Sequence, residues 1–248
     1  MRALITGASS GIGRDIAKEL ARRGYDIVIV ARSEDKLNEL KNEINNVQVE
    51  SIPMDISNLD NCKELYNKVG YVEILVNNAG FGLFGKFNTT DIDREMEMVD
   101  LNVKSLHYLT KLFLKDMVEK DKGYILNVAS IAGHLPGPFM STYYATKHYV
   151  FNLSESINEE LKKDRSHVRV GTLNPGPVET NFNKVANVKF NLSSLTSEYV
   201  AKYTVDRMLK GKTDITPGFG VRCTRFFAKV VPDTLMAKIV YNTQKKRG

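Results

Sequence analysis

Cysteine is scarce in this 248-residue chain, which contains only Cys62 and Cys223. Two thiols cannot build a disulfide framework or a zinc site, and a reducing cytoplasm is the expected compartment. Histidine is nearly as rare, and His107, His134, His148 and His167 are scattered, so no metal cluster is expected. Long apolar runs are missing too. No segment approaches eighteen consecutive apolar residues, and Met1-Arg2 leads straight into a short apolar run closed by a glycine cluster. Neither a membrane-spanning helix nor a secretory signal is expected from that pattern. Internal repeats and low-complexity tracts are absent. The net charge of +6 is spread along the chain, with one modest cluster at Lys245-Lys246-Arg247 and no interleaving of aromatic and basic residues. That distribution argues against nucleic acid as a partner and suits an anionic cofactor equally well. With 42% hydrophobic and 26% charged residues, the composition is that of a folded globular chain, and no internal boundary divides it.

What the sequence does contain is an ordered series of strands, glycine turns and amphipathic segments. Arg2 to Thr6 reads as a short buried strand running into Thr6-Gly7-Ala8-Ser9-Ser10-Gly11-Ile12-Gly13. Ile12, Ile16, Ala17, Leu20 and Ala21 then recur at helical spacing, Gly24 closes the helix, and Asp26 to Ala31 forms a second strand. Glycines in such a turn permit close approaches that a Cβ would block, and the free N–H groups at the helix start attract a pyrophosphate. The residue after the second strand selects the dinucleotide. An acidic residue there would bind the ribose hydroxyls of NAD, but the chain reads Val30-Ala31-Arg32-Ser33. Ala31 removes the repulsion that a carboxylate would exert on a 2′-phosphate, and Arg32 offers that phosphate a charge-assisted fork, so NADP(H) is the expected cofactor.

Helical spacing over Glu34 to Ile44, a strand from Gln48 to Asp55, a helix to Val69 capped by Ser57 or Asn58, and a strand from Val72 to Val76 follow. Strands alternating with single helices predict a parallel sheet with right-handed crossovers. Asn77-Asn78-Ala79-Gly80 and a loop to Thr90 come next, then one long helix from Asp91 or Ile92 to Glu119. Asn102 lies midway along it, where a mediocre helix former suggests a side-chain contact. Tyr124 to Ala129 reads as the fifth strand, Val168 to Asn174 as the sixth and Asp214 to Thr216 as a short last one. Residues 181–197 loosen into a loop of the length expected of a lid, before a helix that begins at Thr196 or Ser197 and reaches Leu209. The apolar tail beyond Pro217-Gly218 is expected to pack over a substrate cleft or against a second subunit, a membrane surface being the other reading.

Between the fifth and sixth strands, Tyr143 and Lys147 stand four residues apart, on one face of a helix reaching about Lys163. A cation beside a phenol, whose ordinary pKa is about 10, favours the phenolate. Tyr144 would be turned about 100° from that face. Together with Thr6-Gly7-x-x-x-Gly11-x-Gly13, Asp55, Asn77-Asn78-Ala79-Gly80, Asn102, Ser130 and Pro175-Gly176, this pair makes the chain resemble a short-chain dehydrogenase/reductase from about Ala3 to Thr180. Ala129 departs from the pattern, since many relatives have a second serine there, but it leaves Ser130 intact.

The resemblance implies a single α/β domain over 1–248, Rossmann-like, with a doubly wound parallel sheet of about seven strands. Residues 181–248 would supply a substrate lid and an apolar C-terminal extension. Tyr143 would be the general acid in reduction and the base in oxidation, Lys147 would lower its pKa and bond the nicotinamide ribose, Ser130 would donate to the substrate oxygen, and Asn102 would hold a relay water. The implied cofactor contacts are Gly7, Ser9, Ser10, Gly11, Ile12, Gly13, Arg32, Asp55, Asn78, Ala79, Gly80, Tyr143, Lys147, Pro175, Gly176, Val178 and Thr180. Phe81, Phe84, Phe139, Phe182 and Phe190 would make the substrate pocket apolar. The expected activity is NADPH-dependent reduction of a ketone, aldehyde or 3-oxoacyl compound to an alcohol, by a homodimer or homotetramer. The alternatives are an NADP(H)-responsive binding protein with little turnover and an NAD-dependent alcohol dehydrogenase.

Overall fold

The computed structural model describes residues 1–180, 182 and 194–245. In chain order the strands are β1 (Arg2–Thr6), β2 (Asp26–Ala31), β3 (Val49–Pro53), β4 (Ile74–Asn77), β5 (Tyr124–Val128), β6 (Arg169–Leu173), β7 (Val178–Glu179), β8 (Leu195–Thr196) and β9 (Asp214–Ile215). Seven of them form one sheet in the order β3-β2-β1-β4-β5-β6-β9, and every pairing in it is parallel. Among the described residues the α-helices with full bounds are α1 (Gly11–Arg22), α2 (Glu34–Glu43), α3 (Leu59–Val69), α4 (Ile92–Val99), α5 (Leu106–Glu119), α6 (Ser141–Lys163), α7 (Ser197–Met208), α8 (Phe219–Val230) and α9 (Asp233–Gln244).

Side chains alternate along each strand, so both faces of the sheet are apolar and both must be covered. Ala3, Ile5, Ile27 and Ile29 pack with Ile16 and Leu20 of α1, Leu37 of α2 and Val205 of α7. Leu4, Val28 and Val30 turn the other way, onto Leu65 of α3, Phe113 of α5 and Leu161 of α6. The doubly wound parallel sheet read from the sequence is therefore present, with Asn58 as the cap of α3 and Thr196 as the cap of α7.

Three features differ from the sequence reading. The long helix across Asn102 is interrupted by a π-helical segment, Asp100–Ser105, which separates α4 from α5. The short strands β7 and β8 pair within a stretch that reads as loop. The apolar tail, in which the sequence reading marks no helix, folds into two helices; α9 packs over the cleft through Met236 and Gln244, one of the placements expected for the tail. Apart from Phe182 and residues 194–197, the expected lid lies outside the described residues, as do Phe190, Lys246 and Arg247.

At the centre of the sheet, Asn78 clamps the glycine turn to the end of β4. Its Nδ2 donates to Thr6 O (2.9 Å) and Gly7 O (3.1 Å), while Thr6 Oγ1 accepts the N–H groups of Asn78 and Ala79, each at 3.1 Å. A Cβ on Gly13 would lie 2.3 Å from Asn78 Nδ2 and 2.7 Å from Gly7 O, so the clamp closes only on glycine. Gly13→Ala is expected to push Asn78 off the turn and to destabilise the fold by about 1–3 kcal/mol, the usual cost of overpacking. A thermal melt measures this, and an unchanged midpoint would contradict the close packing.

Candidate active site

The carboxyl ends of the central strands open into a cleft of about 1000 Å³. Such a cleft is expected where neighbouring crossovers leave a parallel sheet toward opposite faces. After β1 it is lined by Gly7, Ser9, Ser10, Gly11 and Ile12, after β2 by Arg32, after β3 by Asp55, and after β4 by Asn78, Ala79 and Gly80. Ser130 follows β5, Tyr143 and Lys147 project from the first two turns of α6, and Pro175, Gly176, Val178 and Thr180 follow β6. Gly13 and Asn102, of the residues expected at the site, do not line the cleft. Gly13 lies behind the turn against Asn78, and Asn102 lies behind Gly80 and Phe81.

The π-helical segment gives Asn102 its position. An extra residue in a helical turn redirects the side chain there. Asn102 Oδ1 accepts the Phe81 N–H (3.1 Å), and its Nδ2 donates to Phe81 O (2.9 Å) and to Thr146 Oγ1 (3.2 Å). The side chain thus ties the loop after β4 to α6, one residue before Lys147.

Ser130 is set by the turn that follows it. Its Oγ accepts the Ala132 N–H at 3.1 Å and donates to Pro175 O across a long 3.5 Å. A Cβ on Gly133 would stand 2.6 Å from Lys147 O, so glycine is what allows the short 3₁₀ helix Ile131–His134 to lie against α6 and bring Ser130 to Tyr143. Lys147 Nζ donates to Val128 O at 2.7 Å and lies 5.7 Å from the centre of the Tyr143 ring.

Tyr143, Lys147 and Ser130 are all buried. Removal from water disfavours charge on either partner. Burial raises the Tyr143 phenol well above its ordinary value, against the opposing hydrogen bond from Ser130, and the same effect lowers the Lys147 ammonium to about 8. The lowering of Tyr143 expected from Lys147 is not found: desolvation raises the phenol, which keeps its proton near neutral pH.

Tyr144 also borders the cleft, but its hydroxyl accepts from Gln244 Nε2 (3.0 Å) on α9. Phe81 and Phe182 line the cleft, the Phe182 ring centre lying 5.3 Å from that of Tyr143, whereas Phe84 and Phe139 stack on each other at 5.6 Å outside it. The histidines are occupied structurally. His134 meets Asn174 and is driven down to about 4 by burial, and His167 contacts Asp121 at 2.6 Å.

Sequence reasoning passed over several residues that shape the site. Thr6 holds the Asn78 loop, and Thr146 holds Asn102. Lys36, in the first turn of α2 and four residues after Arg32, also borders the cleft, a proximity visible in the sequence. Beneath the strand ends, Asn77 Nδ2 donates to Asn127 Oδ1 (2.9 Å), and Asn127 Nδ2 donates to Ser154 Oγ (2.9 Å). The polar Asn127 in an otherwise apolar strand is the signal that could have revealed this network. Met236, Ile239, Val240 and Thr243 of α9 complete one wall.

The short chain dehydrogenase family model matches residues 1–189. Over 173 residues the chain is 38% identical to the very-long-chain 3-oxoacyl-CoA reductase of Rattus norvegicus, a match that spans 64% of this chain and 54% of that protein. The structure of a short-chain dehydrogenase from Sphingobium yanoikuyae in complex with NADPH superposes with a TM-score of 0.83 and 27% identity, covering 95% of each chain. A short-chain dehydrogenase/reductase from Burkholderia phymatum in complex with NAD shares the fold, with a TM-score of 0.83 and 24% identity over 90% of each chain. The glycine turn, the Asn78 clamp and the buried Ser130, Tyr143 and Lys147 thus sit in a fold and a sequence of one kind, and the chain belongs to the short chain dehydrogenase family of oxidoreductases.

Proposed function

We propose that this protein is an NADPH-dependent reductase that converts a ketone, aldehyde or 3-oxoacyl compound to an alcohol, with Tyr143 as general acid. The observation that carries this reading is the meeting of Ser130, Tyr143 and Lys147 in the cleft with the phenol held protonated by burial.

The far end of the cleft fits a phosphorylated dinucleotide. α1 begins with no acidic residue in its first turn and no side-chain cap from Ser10, so its first N–H groups are available to a pyrophosphate. Gly11 has a φ of +57°, and a Cβ there would stand 2.8 Å from Thr180 Cγ2, which keeps a narrow backbone gap open. Arg32 and Lys36 are both exposed at the cleft, and neither is in an ion pair among the described residues. Two uncommitted cations favour a 2′-phosphate over free ribose hydroxyls. With the dinucleotide so bound, its nicotinamide would supply the hydride.

The side chains handle the proton and the developing charge. Tyr143 gives its proton to the carbonyl oxygen as that oxygen becomes an alkoxide. Ser130 accepts from Ala132, and its own proton, shared between a long bond to Pro175 O and the Tyr143 hydroxyl, can turn to the same oxygen. Lys147, fixed by Val128 O, places positive charge beside the phenol as it loses its proton. Asn102 acts as a positioning residue through Phe81 and Thr146. Leu135, Met140, Phe182 and Met236 make the wall near Tyr143 apolar, which together with the likeness to a 3-oxoacyl-CoA reductase supports an acyl or other lipophilic carbonyl. Exposed Ile92 and Met96 on α4 and Val118 on α5 support a homodimer or homotetramer built through those helices.

On a substrate identified by NADPH oxidation, Tyr143→Phe is expected to lower kcat by roughly 10²–10⁴-fold while leaving NADPH affinity nearly unchanged. The wild-type kcat/KM for reduction should fall as pH rises through about 8, where Lys147 loses its charge with Tyr143 still protonated. Full activity in the variant, or a profile flat to the alkaline limit, would refute these roles. Arg32→Ala combined with Lys36→Ala should weaken NADPH binding by roughly 10–100-fold and leave NADH binding nearly unaltered, as expected for lost hydrogen bonds to a charged group. Cofactor titrations measure both, and an unchanged ratio would remove the basis for NADPH preference.

A further inference from the structure

α8 turns its apolar face away from the protein. Cys223, Phe226, Phe227 and Val230 share one side by i, i+3, i+4, i+7 spacing, and Phe219, one turn before them, is exposed at the mouth of the cleft. Phe219, Phe226, Phe227 and Val230 are 78, 65, 57 and 62% exposed, and no residue of α8 is buried. The opposite side, with Val221 and Thr224, borders the cleft. α9 extends the outward apolar surface through Leu235 and Ile239, which are 51% and 48% exposed.

Charge selects what covers this surface. Residues 219–245 carry five cations, Arg222, Arg225, Lys229, Lys238 and Lys245, against the single carboxylate of Asp233. Arg225 is paired with Asp214, and the other four make no ion pair among the described residues. A second copy docked on this face would set like charges against each other, whereas an anionic lipid surface would receive both the phenylalanines and the cations. No helix among the described residues is long and apolar enough to cross a membrane, so the contact is with the surface.

We infer that α8 and α9 dock this protein on anionic lipid membranes, with Phe226, Phe227 and Val230 entering the headgroup boundary and Arg222 and Lys229 meeting lipid phosphates. The same two helices wall the cleft, and Ile239 is both half-exposed and part of the cleft lining, so an apolar path joins the docking face to the site. The docking does not depend on the catalytic reading and is tested without substrate.

Flotation with vesicles of phosphatidylcholine, with and without phosphatidylglycerol, tests it. The wild type should float with the anionic vesicles, bind the neutral ones more weakly, and be released by high salt. Phe226→Glu combined with Phe227→Glu should weaken partitioning at least about tenfold while leaving the melting temperature unchanged, because both side chains are exposed. Arg222→Glu with Lys229→Glu, a second pair of exposed positions, should abolish the preference for anionic vesicles. Wild-type protein that does not float, or flotation insensitive to both pairs, would overturn the inference. A dimer in light scattering that the phenylalanine changes dissolve, without flotation, would assign the face to a second copy and overturn it equally.

Discussion

At the ends of β1 and β4 the following helices leave for opposite faces of the sheet, and the strand ends between them stay open. Asn78 and Thr6 close the seam by satisfying backbone groups on both loops at once. Unpaired amides and carbonyls at the bottom of an apolar cleft would be costly, and these two side chains remove that cost while fixing the glycine turn. The turn sets the direction of α1, the loop after β4 meets Asn102, and Asn102 reaches α6 through Thr146. The position of Tyr143 therefore depends on a chain of hydrogen bonds that begins at the middle of the sheet.

Desolvation governs the chemistry of the pair on α6. In water a lysine beside a tyrosine would pull the phenol down, but here both groups are buried and each is pushed toward its neutral form. The result is an acid that keeps its proton and a lysine whose charge is held only up to about pH 8. Such a pair is matched to the proposed reduction, in which the proton would leave Tyr143 as negative charge appears on the substrate.

The glycine turn, the first two strands and the Tyr143–Lys147 pair were legible because each rests on local rules: a forbidden Cβ, a run of apolar residues, and a four-residue helical spacing. For Asn102 the residue type announced a side-chain contact and the resemblance a relay water, but its bonds to Phe81 and Thr146 were not legible, since the π-helical turn that aims it is a tertiary adjustment with no residue signature. The sign of the Tyr143 shift was hidden for the same reason, because burial depends on Phe182 and Met140 arriving from distant segments. Gly133 reads as one more turn glycine until α6 is seen against it. The tail was recognisably apolar, but the direction of its apolar face follows from which side of α8 borders the cleft.

A carbonyl held against a nicotinamide beside Tyr143 would receive its hydride straight from the cofactor, and isotope transfer follows that hydride. A panel of lipophilic ketones, aldehydes and 3-oxoacyl thioesters would be incubated with NADPH deuterated at the transferring position of the nicotinamide C4, and the products read by mass spectrometry. The expected product is an alcohol carrying one deuterium on the former carbonyl carbon. NADPH oxidation that leaves the product unlabelled, or no reduction of any carbonyl by protein that binds NADPH, would contradict it.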